Sequence, residues 1–395
     1  VKVTINKIKN SYKATISASN IAYITQAIAV NFPPLLFLTL QNTYSLSLAQ
    51  ISSLIIATFL IQLTVDIVSA NFVDKIGYRI CIVAAHLMAA FGFILLGFLP
   101  DVFADPFIGI LISCFFYAFG SGLIEVLISP LVEACPTENK AAAMGLLHSF
   151  FCWGTAVVIL FSTIFFFAFG TVNWRILSML WAIVPLVNTI AFLFVPICRI
   201  EDGGKGAGIK SLLSRKIFWL TLVLMLCAGA SELAMSQWAS AFAEGGLGVS
   251  KSVGDLAGPF MFAILMGIGR VVYSKLIQKD LAKYMAICAA LCIISYIMAA
   301  LSANPAVSLI GCALTGFSVG VFWPGSYSFA AEKCPDGGTA MFALLAFAGD
   351  SGCTIGPAIV GYVSDIFDGN LSTGLLTGTI FPIVLLIALF MTRKS

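Results

Sequence analysis

An all-α membrane protein of twelve transmembrane helices, built as two six-helix parallel repeats with both termini cytoplasmic, is the fold class this sequence predicts. Three observations carry it: a composition that cannot form a water-facing surface, twelve apolar runs of bilayer length, and basic residues confined to alternate loops. Of 395 residues, 60% are hydrophobic and 10% charged, against about 25% charged in soluble domains. The 33 Phe and 34 Gly suit the same environment, because glycine lets membrane helices approach closely.

A helix crosses the hydrocarbon core with about 20 apolar residues. Apolar runs between polar breaks fall at 17–41, 50–72, 79–99, 106–132, 141–169 and 174–197 in the first half. The second half repeats the count at 217–243, 253–275, 283–302, 306–330, 339–363 and 372–392. Basic residues mark one end of each hairpin. Lys2, Lys7, Lys9 and Lys13 precede the first run, Lys75 and Arg79 separate the second and third, and Lys140 precedes the fifth. Arg199, Lys205, Lys210, Arg215 and Lys216 follow the sixth; Lys275, Lys279 and Lys283 follow the eighth; Lys333 follows the tenth, and Arg393 and Lys394 close the chain. Outer loops hold only Arg175 and Lys251, while Arg270 lies just within the inner end of the eighth run. This asymmetry predicts cytoplasmic termini, and an odd number of spans would scramble it.

The Gly-rich stretch 199–216 reads as a flexible cytoplasmic linker between halves 1–198 and 217–395. The halves match in order. Glu133-Ala134-Cys135-Pro136 and Glu332-Lys333-Cys334-Pro335 stand 199 residues apart (332 − 133). Ala143-Met144 with Leu146-Leu147 follows the first; Ala340-Met341 with Leu344-Leu345 follows the second. Parallel repeats of this kind place substrate sites near the midplane, between the repeats.

Several functions are disfavoured. The net charge of +3 comes from loop lysines and is no sign of nucleic-acid binding. The 11 cysteines are scattered without a CxxC pair or Cys/His cluster, so neither a disulfide framework nor a metal site is expected. The lysine-bearing N-terminus reads as a short arm rather than a signal peptide. No Walker loop, GxGxxG after a strand or GxSxG occurs. No cofactor or enzymatic activity is expected, and any coupling must come from an ion gradient.

Four acids, Asp66, Glu125, Glu232 and Asp350, lie inside apolar runs with no Lys or Arg at similar depth. An intramembrane carboxylate is costly and persists where it faces a cavity or binds something. Glu125 shares a helix face with Ser121 and Ser129, a setting for a proton carrier or for an acid satisfied by a neighbouring amide or hydroxyl. Glu232 recurs with Ser236 and Ser240 at i, i+4 and i+8, beside Gln237 and Trp238. That group suits a ring-bearing polar solute, or else Trp238 is an interfacial anchor. Asp350 sits in Gly349-Asp350-Ser351-Gly352, where a helix can unwind toward a ligand or merely pack closely. Trp323, with Phe322, Pro324 and Tyr327, forms an aromatic cluster that reads either as core or as a substrate platform. His148 can relay a proton from Glu125 or be a core histidine.

The loop Asp74-Lys75-Ile76-Gly77-Tyr78-Arg79 resembles the G-x-x-x-D-R/K-x-G-R/K-R/K loop of the major facilitator superfamily, with Ala70 at its first Gly and Tyr78 at one basic position. Gly269-Arg270 with Tyr273 and Lys275 looks like the degenerate second copy. Within that superfamily, Gly120-Ser-Gly-Leu-Ile-Glu125-Val-Leu-Ile-Ser-Pro130 and Leu147-His148-Ser149-Phe150-Phe151 resemble the fucose permease group of proton-coupled sugar transporters. The resemblance implies a secondary transporter working by alternating access, with Glu125 at the acid implicated in proton coupling. The group's first-span acid is absent, with Pro33-Pro34 there and Asn31 nearby, and Phe151 stands about where its fifth-span asparagine falls.

These readings combine into one expectation. Glu125 and His148 handle the proton; Asn31, Glu232, Ser236, Gln237, Trp238, Trp323 and Asp350 line the substrate cavity; Asp66, Asp74, Gly77, Arg79 and Arg270 form the inner gate. A cavity with acids and little positive charge favours uptake of a neutral polar solute such as a sugar, with protons and the lipid bilayer as the other partners. The rival is proton-driven efflux of cationic or lipophilic drugs. A monomer in the cell membrane, of the bacterial inner-membrane type, is expected.

Overall fold

The computed structural model describes residues 12–136, 140–197, 208–276 and 281–392, and all regular structure among them is helical. The arm lysines Lys2, Lys7 and Lys9 and linker residues 199–207 lie outside the described residues. The backbone of Asp66, Asp74 and His148 is helical, but their side chains lie outside the description. Eleven helices are long and apolar enough to cross a membrane, and the bent pair α1 (Tyr12–Leu35) and α2 (Phe37–Tyr44) makes up to twelve when counted as one broken span.

In order, the remaining first-half helices are α3 (Leu48–Ile76), α4 (Tyr78–Leu96), α5 (Pro106–Ala134), α6 (Lys140–Phe169), and α7 (Trp174–Trp181) with α8 (Ile183–Phe194). A short α9 (Ile209–Leu213) leads into α10 (Lys216–Ser236), which continues through a turn and a π-helical segment to Gly246. There follow α11 (Lys251–Asp255), a π turn, α12 (Met261–Leu276), α13 (Leu281–Leu301), and α14 (Pro305–Val319) with α15 (Phe322–Lys333). The chain ends with α16 (Gly338–Ile366), then α17 (Leu371–Thr377) and α18 (Ile380–Thr392).

Proline explains most of the broken spans. Its missing N–H deprives the carbonyl four residues earlier of a partner, and its ring crowds that carbonyl. Pro185, Pro324 and Pro382 stand four residues after Trp181, Gly320 and Gly378, and the α7–α8, α14–α15 and α17–α18 breaks fall at or beside those residues. Pro33-Pro34 close α1, where the axis turns by 49° into α2.

The chain divides into two compact units: residues 1–46 with 57–202, and residues 47–56 with 203–395. The first turns of α3 therefore belong with the second unit. In the first unit, Leu123, Ile124, Leu127, Ile128 and Leu131 of α5 meet Ile82 and Ala85 of α4 and Ala18 and Ala22 of α1 in one apolar core. In the second unit, α10 crosses α16 at backbone contact. A Cβ on Gly352 would run into the Leu226 carbonyl, and one on Gly356 into the Ala230 carbonyl. Glycine is required there because nothing larger fits between the two backbones.

Arg175 and Lys251, the two basic residues expected in outer loops, each meet a carboxylate. Arg175 donates to Asp101 from Nε at 2.9 Å and from a terminal nitrogen at 3.0 Å, while Tyr44 donates to the same carboxylate at 2.7 Å. The Arg175 guanidinium and then the Tyr44 hydroxyl hold the Asp101 carboxyl below its ordinary range. Lys251 pairs with Asp255 at 2.9 Å, and the Ser240 hydroxyl donates to that carboxylate.

Candidate functional site

In the first unit, polar side chains of α1 and α3 converge on α5. Spacing places Ser121, Glu125 and Ser129 on one face of that helix, and each meets a polar side chain from an adjacent helix. Gln26 Nε2 donates to Glu125 Oε2 at 2.8 Å. Tyr23 OH shares a hydrogen bond with Ser129 Oγ at 2.8 Å, and Gln62 Nε2 donates to Ser121 Oγ at 2.8 Å. Asn31 Nδ2 donates to Thr155 Oγ1 of α6 at 3.0 Å and to the Ala27 carbonyl. Glu125 remains half-buried. The amide partner weighed as its bland alternative is therefore real, yet it leaves the carboxylate partly accessible.

Gln26 was not singled out by the sequence reading. It is 5% exposed, and its Oε1 is buried without a hydrogen-bond partner. The available signal was an amide five residues before Asn31 in an otherwise apolar run.

His86 is fully committed to packing. Its Nδ1 lies 2.8 Å from the Ile82 carbonyl, so it carries the proton, and Nε2 then accepts from Asn188 Nδ2 at 2.9 Å. Asn188 also donates to the Ala18 carbonyl, tying α8 to α1 and α4.

In the second unit, Glu232 is 7% exposed, and its Oε2 has no hydrogen-bond partner. Arg270 exerts a Coulombic attraction on it. Arg270, assigned from sequence to the gate, shares the electrostatic environment of a cavity candidate.

The Glu232–Ser236–Ser240 stripe is interrupted, because α10 ends at Ser236. Ser236 is half-buried and Gln237 buried. Trp238 is buried inside the second unit and donates from Nε1 to the Pro357 carbonyl at 2.8 Å. Its ring occupies room that Gly361 leaves open. Trp238 is thereby packed within the second unit. Ser240 is bound to Asp255 and Lys251. Asp255, fully buried at the start of the eighth span, is a further intramembrane acid missed beside the original four. Its signal was the i, i+4 pairing with Lys251.

Asp350 is half-buried on α16 and accepts from Thr354 through its backbone carbonyl. Trp323 lies against Gly349, with Tyr327 at 6.3 Å and Phe342 a further 5.7 Å along between ring centroids. This short aromatic ladder borders the Asp350 segment.

Of the gate residues, Gly77 has φ of +100° as the single residue joining α3 to α4. Only glycine takes that conformation without strain. Arg79 donates to the Phe192 and Val195 carbonyls at 2.6 and 2.9 Å. It thus caps the C-terminus of α8, where orphan carbonyls and the helix dipole favour a cation. An apolar crevice of about 290 Å³ lies between α3 and α5, bounded among the described residues by Leu60, Val68, Phe115 and Phe119.

The major facilitator superfamily model matches residues 17–357. The chain belongs to the major facilitator superfamily. It is accordingly a multi-pass membrane transporter rather than an enzyme, from a family that binds small molecules and resides in the lipid bilayer. No match is found among curated proteins. Solved structures similar to it share the fold. A bacterial homologue of the human lysosomal transporter Spinster, in an inward-facing unoccupied conformation, is 15% identical with TM-score 0.77, covering 99% of this chain and 97% of that one. The E. coli fucose:proton symporter FucP is 16% identical with TM-score 0.64, covering 98% and 100%. The nucleoside transporter NupG is 12% identical with TM-score 0.72, covering 95% and 99%.

Proposed function

We propose that this superfamily member couples a proton gradient to uptake of a small neutral polar solute, with sugars the first class to test. The observation that carries the reading is the Gln26–Glu125 bond on a face lined by Tyr23, Ser129, Asn31 and Thr155. Amides, hydroxyls and one half-buried carboxylate match a hydroxyl-rich ligand, and the carboxylate is a group that can gain and lose a proton. In this reading Glu125 carries the proton with His148 as relay, while Glu232, Trp323 and Asp350 supply second-half contacts. Asn31, Ser236, Gln237 and Trp238 support those contacts, and Asp66, Asp74, Gly77, Arg79 and Arg270 govern the inner gate. The halves are 1–198 and 217–395, joined by 199–216, with cytoplasmic termini and a monomer in the cell membrane.

The test is proton-driven uptake of a labelled hexose panel into proteoliposomes, beside efflux of an ethidium-type cation. Glu125→Gln is expected to abolish uphill uptake while preserving exchange at equal concentrations. Unchanged coupling in that variant removes the proton role of Glu125. Cation transport without hexose transport replaces the uptake reading by the efflux one.

A further inference from the structure

We propose that Gln26 is an amide rotor that reports the protonation state of Glu125 at a second position, so that the solute meets an acceptor in one state and a donor in the other. The inference rests on the proton role proposed for Glu125. An ionised carboxylate accepts only, so the contact at 2.8 Å fixes the Gln26 NH2 group toward Glu125 and turns Oε1 away. That Oε1 is buried with no partner. An unmatched buried acceptor is a costly feature to retain, and a solute donor at that position would satisfy it.

Protonation at Glu125 Oε2 reverses the requirement. Its new O–H would face the amide N–H donors, two donors opposed. Rotating the Gln26 amide by half a turn exchanges O and N: Oε1 then accepts from the acid, and NH2 occupies the second position. No bond is broken beyond hydrogen bonds, and the proton stays on Glu125. A solute presenting an acceptor at the second position therefore binds the protonated form more tightly, and by linkage its binding promotes proton uptake.

Other ionisable groups on the surrounding helices are limited. Tyr23 of α1 is bound to Ser129, and Tyr117 lies two turns up α5. On α4, His86 is held by Ile82 and Asn188, and Arg79 by the end of α8. Asp66 lies on α3 and His148 on α6. Lys13, Asp74 and Lys75 lie three or more turns from Gln26 or Gln62, Glu133 lies about two turns from Glu125 toward the end of α5, and Lys140 starts α6. Gln26 bonds Glu125 directly and has a buried oxygen left over, so the switch is assigned to it.

The test needs no solute. Full-length protein in lipid vesicles, uniformly labelled with side-chain 13C-glutamine, is followed by infrared difference spectroscopy across a pH titration. The acid C=O band of Glu125, assigned by its loss in Glu125→Gln, is expected to appear together with a shift of one glutamine amide band. Gln26→Leu should abolish the amide shift and retain the acid band; Gln26→Asn, too short to reach, should behave likewise and guards against misfolding of either variant. An acid band with no amide change overturns the rotor alone. Absence of any acid band lost in Glu125→Gln overturns the proton role and the rotor together.

Discussion

Replacing Gly352 by alanine tests whether glycine alone sets the separation of the seventh and eleventh spans. A Cβ at 352 would collide with the Leu226 carbonyl and approach the Ala230 amide, both backbone atoms of α10. Backbone cannot rotate aside, so α10 and α16 must separate locally, an overpacking cost of about 1–3 kcal/mol. Alanine returns about 0.5–1 kcal/mol by restricting the unfolded chain, leaving a net loss of about 0–2.5 kcal/mol, centred near 1. Gly267 on α12 is an internal control, because nothing lies within 4 Å of where its Cβ would stand. Gly267→Ala should gain only the helix contribution, about 0.5–1 kcal/mol. The two variants then differ by about 2 kcal/mol, a factor of about 30 in the folded-to-unfolded ratio. Thermal unfolding of both full-length variants, at matched detergent and protein concentration and followed by tryptophan fluorescence, reads the difference. Opposite shifts are expected. Equal shifts, or a higher midpoint for Gly352→Ala, would refute the claim that backbone contact fixes this crossing.

Two further outcomes follow from the charged pairs. Asp255→Ala should cost about 3–5 kcal/mol, because it strands the Lys251 ammonium in a mostly buried site; chemical denaturation beside the double variant Asp255→Ala/Lys251→Met should show recovery when the stranded charge is also removed. At the exposed loop, the Arg215 guanidinium holds the Asp336 carboxyl down at about 2. Its small stabilisation is present above the unfolded value near 3.9 and is lost as pH falls through about 2; carboxyl 13C NMR should show that midpoint moving up toward the unfolded value in Arg215→Ala, and an unmoved midpoint would show that the pair does not act.

Much of the site was legible because intramembrane polarity is expensive and therefore conspicuous. Spacing alone groups Glu125 with Ser121 and Ser129, and the bonds from Gln26, Tyr23 and Gln62 reach those three residues. Gln26 was harder to see, since an isolated amide among Ile24, Ala27 and Ile28 does not announce which helix it meets. The partner of Trp238 could not be read from spacing, because the Pro357 carbonyl it meets lies 119 residues away in sequence. Arg270 looked peripheral from its place near the end of its run, but its interaction with Glu232 depends on two helices far apart in sequence.

The sequence by itself determined the membrane class, the approximate spans and the identity of the acids, because hydrophobic length and charge cost are local properties read residue by residue. Family membership was legible for the same reason: the loop around Gly77 records a backbone demand that one glycine meets. Only the tertiary structure decided which amide meets Glu125, which acid is left with an unmatched oxygen, and which carboxylates Arg175 and Lys251 meet. Those are pairings between helices, and a hydrogen bond of about 2.8 Å depends on register and rotation that packing alone sets.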